Sequence, residues 1–249
     1  MTGAEDAVFE SVVRDDVCRL RRPETRWLST GHAGGRSTGP VAYNVSVPEG
    51  WAETDVDGYV ERRLDEAGFE ESGPTLLTGV SMRHARRARL GPVEAVVTAG
   101  VSNPAALPVD GNESATHRSA ADGEEPRTGT VNVLVGTTRA LGAGALANLV
   151  AVAAEAKAAT LLSRTGFPGT TTDAVVAACD PAGEAAAYSG SATLVGSAAR
   201  ACVRDALCAS LGSRYDGDGG IPASVAAAEY GVVTDERASV SEILGSEND

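Results

Sequence analysis

Apolar and polar positions change their period several times along this chain, and each change predicts an element. Up to residue 47 the segments AVFESVV, DVCRLRR, TRWLST and VAYNVSV are short, rich in β-branched and aromatic residues and separated by turn residues, which predicts strands of one sheet. Residues 55–67, DVDGYVERRLDEA, carry a helical period and run into Gly68, predicting a surface helix. PTLLTGV and VEAVVTAGV are apolar and β-rich along their length and read as central strands. From Ser102 to Thr128 the regularity stops, and Asn, Asp, Pro, Ser and Gly dominate a stretch longer than an idle connection in a compact domain. This polar insert, at about 104–128, is expected to be a lid or a disordered loop, its acidic middle favouring disorder. Order resumes with TVNVLVGTT as a strand, a long helix from about Ala143 to Ser163, the strand DAVVAAC and a second helix near Thr193 to Leu211. A strand, helix and strand in that order imply a right-handed parallel crossover. Residues 212–249, rich in glycine and acids, read as a peripheral or partly disordered extension. The expected fold class is therefore α/β with α+β character: a single layered domain over residues 1–211, with a mixed β-sheet and helices packed on it.

Charge changes this picture more than length does. The 249 residues hold 34 acids against 21 bases, a formal net charge of −13. Such a surface suits a high-salt cytoplasm, where self-repulsion is screened, and argues against nucleic acid as a partner. A GC-rich genome would explain the arginines but not the acids. The N-terminus MTGAEDAVFE carries acids where a secretory signal needs bases, and no apolar run is read as reaching the roughly 18 residues of a membrane span, so a cytoplasmic protein without a span is expected. Nothing in the composition speaks against a homo-oligomer. The four cysteines form no CxxC pair and His32, His84 and His117 are scattered, so no metal or disulfide framework is predicted.

Among all these bases there is a single lysine, Lys157, inside the apolar run LANLVAVAAEAKAATLL. At 100° per residue it falls with Leu146, Val150, Ala153 and Leu161, while Glu155 lies nearly opposite, so the two charges cannot pair. A buried ammonium needs a carboxylate, a hydrogen-bond cage or a depressed pKa; otherwise the stem must snorkel past the core edge to water. The next segment, GFPGTTTDAVV, offers Thr170, Thr171, Thr172 and Asp173 in the connection entering a strand whose Val175, Ala177 and Cys179 share the face of Asp173. A turn with local hydrogen bonds would use the same residues. VVTAGVSNPAAL adds Ser102 and Asn103 at a strand end, and Asn132 interrupts TVNVLV and must find partners if buried. GHAGGRSTG is neither GxGxxG nor GxxxxGK, and RHARRARLG, without aromatics nearby, reads as a solvated face or an anion contact.

In order and spacing, TAGVSNPA, GTVNVLVG, AEAKAATL, GTTTDAVVAA and YSGSATLVG resemble the adenosylcobinamide amidohydrolase (CbiZ) family, the likeness covering roughly Arg26 to Leu211. The acidic composition suits a haloarchaeal member. The resemblance implies hydrolysis of the amide joining aminopropanol to the corrin ring, giving adenosylcobyric acid for cobamide salvage, with the corrinoid as substrate and no cofactor. It also implies an active region holding Ser102, Asn103, Lys157, Thr170, Thr172 and Asp173, with Asn132, Glu155 and Thr171 beside them. The glycine-rich LSTGHAGG adds Gly34 and Gly35. Two mechanisms stay open: a Thr or Ser hydroxyl attacks, activated by Lys157 or Asp173, or Asp173 serves as base for water. A corrinoid-binding or regulatory module without catalysis, and an acyl transferase, are the alternative readings.

Overall fold

Strand β1 (Glu10–Arg14) and the long β2 (Val17–Ser29) form a hairpin whose turn residues, Asp15 and Asp16, both have positive φ, as the twist-matched two-residue turn demands. The computed structural model describes residues 7–48, 50–109, 129–215, 220–228 and 230–243, so most of the polar insert, from residue 110 to 128, lies outside the described residues. DVCRLRR and TRWLST prove to be one strand. Pro23 has no N–H for the ladder, so the chain bulges between Arg21 and Thr25 and pairing then continues. β3 (Gly35–Ser46) returns along β2, helix α1 (Val56–Glu66) packs on that pair, and β4 (Thr75–Thr78) follows parallel to β3. β5 (Arg86–Leu90), β6 (Val93–Ala99), the short β7 (Pro104–Ala106) and β8 (Val131–Thr137) come next. After β9 (Ala140–Leu141), α2 (Ala143–Thr165), β10 (Gly169–Thr170), β11 (Ala174–Cys179) and β12 (Ala185–Ala186), α3 (Leu194–Tyr215) and β13 (Val232–Val233) complete the fold.

The main sheet runs β4-β3-β2-β11-β8-β6-β5, with β1 also on β2; β3–β4 and β11–β8 are parallel and the other pairs antiparallel. This is the expected single mixed α/β domain, and β8, α2 and β11 form the expected parallel crossover. Two sequence readings change. PTLLTGV is the edge strand β4, apolar because it lies on a core and not because strands flank it. RHARRARLG contains β5, the opposite edge, where alternating arginines face water and discourage further pairing.

Alternation assigns the faces. Val93, Ala95, Val97, Val131, Val133, Val135, Val175 and Ala177 meet α2 and α3 in one core. The other face carries Val96, Leu134 and Val176 with Trp27, Phe9 and Leu76, Phe9 and Trp27 stacking with centroids 5.7 Å apart. The sheet coils until β4 crosses to β8: Asn132 Nδ2 donates to Leu77 O at 2.9 Å and to Asn44 Oδ1 at 2.8 Å. The alanine-rich α2 is long and apolar enough, by length and composition, to cross a membrane, which the sequence reading missed. Here it is a core helix whose inner face, Leu146, Leu149, Val152, Ala153, Ala156 and Leu161, is buried.

Glu94 sits on the second face, fully buried, accepting a hydrogen bond from Val8 N–H at 3.2 Å. Burial pushes its carboxyl pKa up, with Arg87 and that N–H only partly opposing. The folded state therefore keeps a proton that the unfolded chain releases at lower pH, so stability falls as pH rises through this window. Glu94→Gln keeps the acceptor and removes the charge. It is expected to raise Tm at neutral pH, the gain shrinking toward the acid end of melts run between about pH 4 and pH 8.

Candidate active site

β8 and β11 start side by side, and α2, which leaves the far end of β8, brings its second half back over those starting ends. Lys157 faces inward there, its side chain 11% exposed, and forms an ion pair with Asp173, also 11% exposed. The carboxylate is filled on all sides. Oδ1 accepts from Val131 N–H at 2.9 Å and from the Thr170 hydroxyl; Oδ2 accepts from Thr170 N–H at 3.0 Å and from Lys157 Nζ. While Thr170 carries its hydroxyl hydrogen, these four contacts leave no lone pair of Asp173 open to a water.

Gly169 covers this pair. A Cβ there would stand 2.8 Å from Asp173 Oδ2 and 3.2 Å from Lys157 Nζ, so a side chain at this position would press on the pair. The loop is held from the other side by β7, whose Pro104 and Ala105 pair with Thr170 and Gly169. Asn103, just before β7, donates from Nδ2 to Thr171 Oγ1 at 2.6 Å and accepts from Thr171 N–H at 3.3 Å. Its Oδ1 is buried without a conventional donor, beside Gly129, where a Cβ would be only 1.9 Å away and 2.7 Å from Ser102 Oγ. Thr172 donates to Gly129 O at 3.1 Å, so the 2.7 Å contact with Thr130 must be donated by Thr130.

The three hydroxyls of GTTTD thus differ. Thr170 is buried and bonded to a carboxylate that Lys157 orients, Thr171 is exposed and bonded to Asn103, and the Thr172 proton is committed to a backbone carbonyl. The structure brings together Lys157, Asp173, Thr170, Thr171, Thr172, Asn103 and Ser102. It places the others apart. Asn132 points to the opposite face of the sheet, in a network with Asn44 and Thr98 in which its own Oδ1 is unpartnered. Glu155 lies on the outer face of α2, 3.3 Å from Arg200. Gly34 ends the β2–β3 connection and Gly35 opens β3, at an exposed turn whose base reaches β11 through Thr30 N–H to Val175 O at 2.9 Å and Val175 N–H to Thr30 Oγ1 at 2.9 Å. Sequence reasoning missed Gly129, Thr130 and Gly169; their signal was present in GTVNVLVG and FPGTTTD, where a glycine adjoins the polar residues.

Comparison with known proteins covers most of the chain. Residues 4–218 match the model of the CbiZ family, described as adenosylcobinamide amidohydrolase. The chain is 54% identical over 235 residues to an adenosylcobinamide amidohydrolase of Halobacterium salinarum, covering 94% of this chain and 99% of that one. It is 28% identical over 152 residues to the protein of the same name from Methanosarcina mazei, covering 61% and 68%. A protein of Pyrococcus horikoshii OT3 of known structure aligns over 85% of this chain and 81% of that chain, at 14% identity and a TM-score of 0.42.

Proposed function

The chain belongs to the adenosylcobinamide amidohydrolase family, and from that premise we propose that it hydrolyses adenosylcobinamide with Thr170 as nucleophile, Asp173 as its base and Lys157 holding that base in place. The observation that carries the assignment is the Thr170–Asp173–Lys157 chain of contacts, buried under Gly169. A hydroxyl bonded to a base, itself oriented by a third group, is the arrangement nucleophilic catalysis requires.

Thr170 Oγ1 attacks the carbonyl carbon of the amide that joins aminopropanol to the corrin side chain, and its proton leaves along the existing hydrogen bond to Asp173 Oδ1. Asn103 Nδ2 gives one hydrogen to Thr171, leaving the second for the developing oxyanion. As the C–N bond breaks, Asp173 returns the proton to the departing nitrogen, freeing aminopropanol and leaving the corrin acyl group as an ester on Thr170. Departure of aminopropanol admits a water that gives its proton to Asp173 and attacks the ester; adenosylcobyric acid leaves, and Thr170 regains its hydrogen. Lys157 Nζ keeps Oδ2 occupied, so the proton traffic runs through Oδ1. We place this chemistry in a cytoplasm of high salt, which the acid excess supports.

Incubation with adenosylcobinamide, followed by mass spectrometry, tests the reading. Adenosylcobyric acid and free aminopropanol in equal amounts are expected. Substrate retained unchanged on the protein would leave a binding module, and a corrinoid acyl group delivered to an added amine in place of water would make the protein a transferase.

A further inference from the structure

The C-terminal extension looks compositionally idle, yet part of it is built into the site. β7 is three residues long, and its first residue, Pro104, has no N–H. Alone with the two-residue β10 it would be a marginal pair, because so few ladder bonds do not hold a strand in water. β13 supplies the third strand: Val232 and Val233 pair in parallel with Ala105 and Ala106, and Thr234 N–H donates to Ala106 O at 3.0 Å. The approach is close. A Cβ on Gly231 would stand 3.0 Å from Pro104 O and 2.8 Å from Val225 Cγ1. Ser224 caps the turn Val225–Ala227 that precedes this strand, and beyond it Arg237 donates to Val109 O at 3.1 Å. This segment begins after the family-matched stretch ends.

The order β10-β7-β13 gives the segment a task. Thr170 is the last residue of β10 and Asn103 is the residue before β7, so the distance between nucleophile and oxyanion donor is fixed by how β7 is held. We infer that the C-terminal strap acts as a positioning element for hydrolysis, with the Thr234 amide as its anchoring donor; this rests on Thr170 and Asn103 having the roles proposed above. The strap touches no reacting atom. It fixes β7 on the side that β10 leaves open, and a small displacement of β7 moves Asn103 relative to the attacked carbonyl.

The test uses the full-length chain carrying Thr234→Pro, which removes that amide hydrogen, beside Thr234→Ala, which keeps it. Thr234→Pro is expected to lower kcat by about tenfold or more with KM within about twofold, since misplacing a catalytic group costs the chemical step more than binding. Tryptic cleavage at Arg237 should accelerate, reporting release of the strap, while Thr234→Ala matches the parent in both measurements. Wild-type kcat in Thr234→Pro overturns the inference whether or not Arg237 is cut faster, as does a loss that only follows the unfolded fraction in a thermal melt. Full activity of Thr170→Val would instead sink the reading beneath it, so the two failures are separable.

Discussion

Thr170→Val is expected to fold normally and to lose hydrolysis of adenosylcobinamide by about 10³-fold or more, the scale on which removing a nucleophile exceeds removing a supporting contact. Valine keeps the volume and branching of threonine, and the backbone N–H of residue 170 still donates to Asp173 Oδ2. What disappears is the one hydroxyl that, among the described residues, is bonded to the carboxylate. Its loss as a hydrogen bond to a charged group should cost about 1.5 to 3 kcal/mol of stability. Thr172→Val is the matched control, because that hydroxyl is committed to Gly129 O and Thr130. It should stay within about tenfold of the parent kcat, as a residue supporting loop geometry only. Acid quenching of the parent enzyme during turnover, followed by peptide mass analysis, should find the corrin acyl group on the peptide holding Thr170. An acyl group on Thr171 would move the nucleophile one residue along, to the exposed hydroxyl beside Asn103.

The hydroxyl cluster was legible as a cluster but not as three different hydroxyls. Side-chain periodicity placed Lys157 on the inner face of α2 and Asp173 on the face of β11 that meets it, because both follow from fixed repeats of 3.6 and 2 residues. The same repeats put Glu155 outside, where it pairs with Arg200. Which of Thr170, Thr171 and Thr172 faces the carboxylate depends on the β7–β10 pairing, a contact between residues more than sixty positions apart that no local pattern encodes. Asn132 illustrates the opposite limit. Its need for partners was readable, but alternation sends it to the second face, where the coiled sheet delivers Asn44 and Leu77 from strands that are not its neighbours. β5 was hidden by its arginines, since an edge strand with one wet face has the composition of a loop.

Lys157→Met is expected to destabilise the protein by roughly 3 to 5 kcal/mol and to abolish turnover, because it leaves the Asp173 carboxylate buried without its cation. Methionine conserves the stem's volume, so packing against the inner face of α2 is little disturbed. The remaining donors, Val131 N–H, Thr170 N–H and the Thr170 hydroxyl, are neutral and cannot replace the charge. Adding Asp173→Asn to Lys157→Met should recover part of the stability by neutralising the stranded group, while hydrolysis stays absent. The recovery is partial for a geometric reason: an amide nitrogen placed where Oδ2 stands would face the Thr170 N–H donor to donor. Lys157→Arg separates charge from shape. Its guanidinium keeps the positive charge, but the backbone of Gly169 lies directly over the pair, and the planar fork needs room that a compact ammonium does not. Arginine should therefore retain more stability than methionine and still lose most of the activity. Denaturant melts and kcat for the three variants decide the matter, and a Lys157→Met protein that matches the parent in both would make the chain's single lysine a bystander to the reaction.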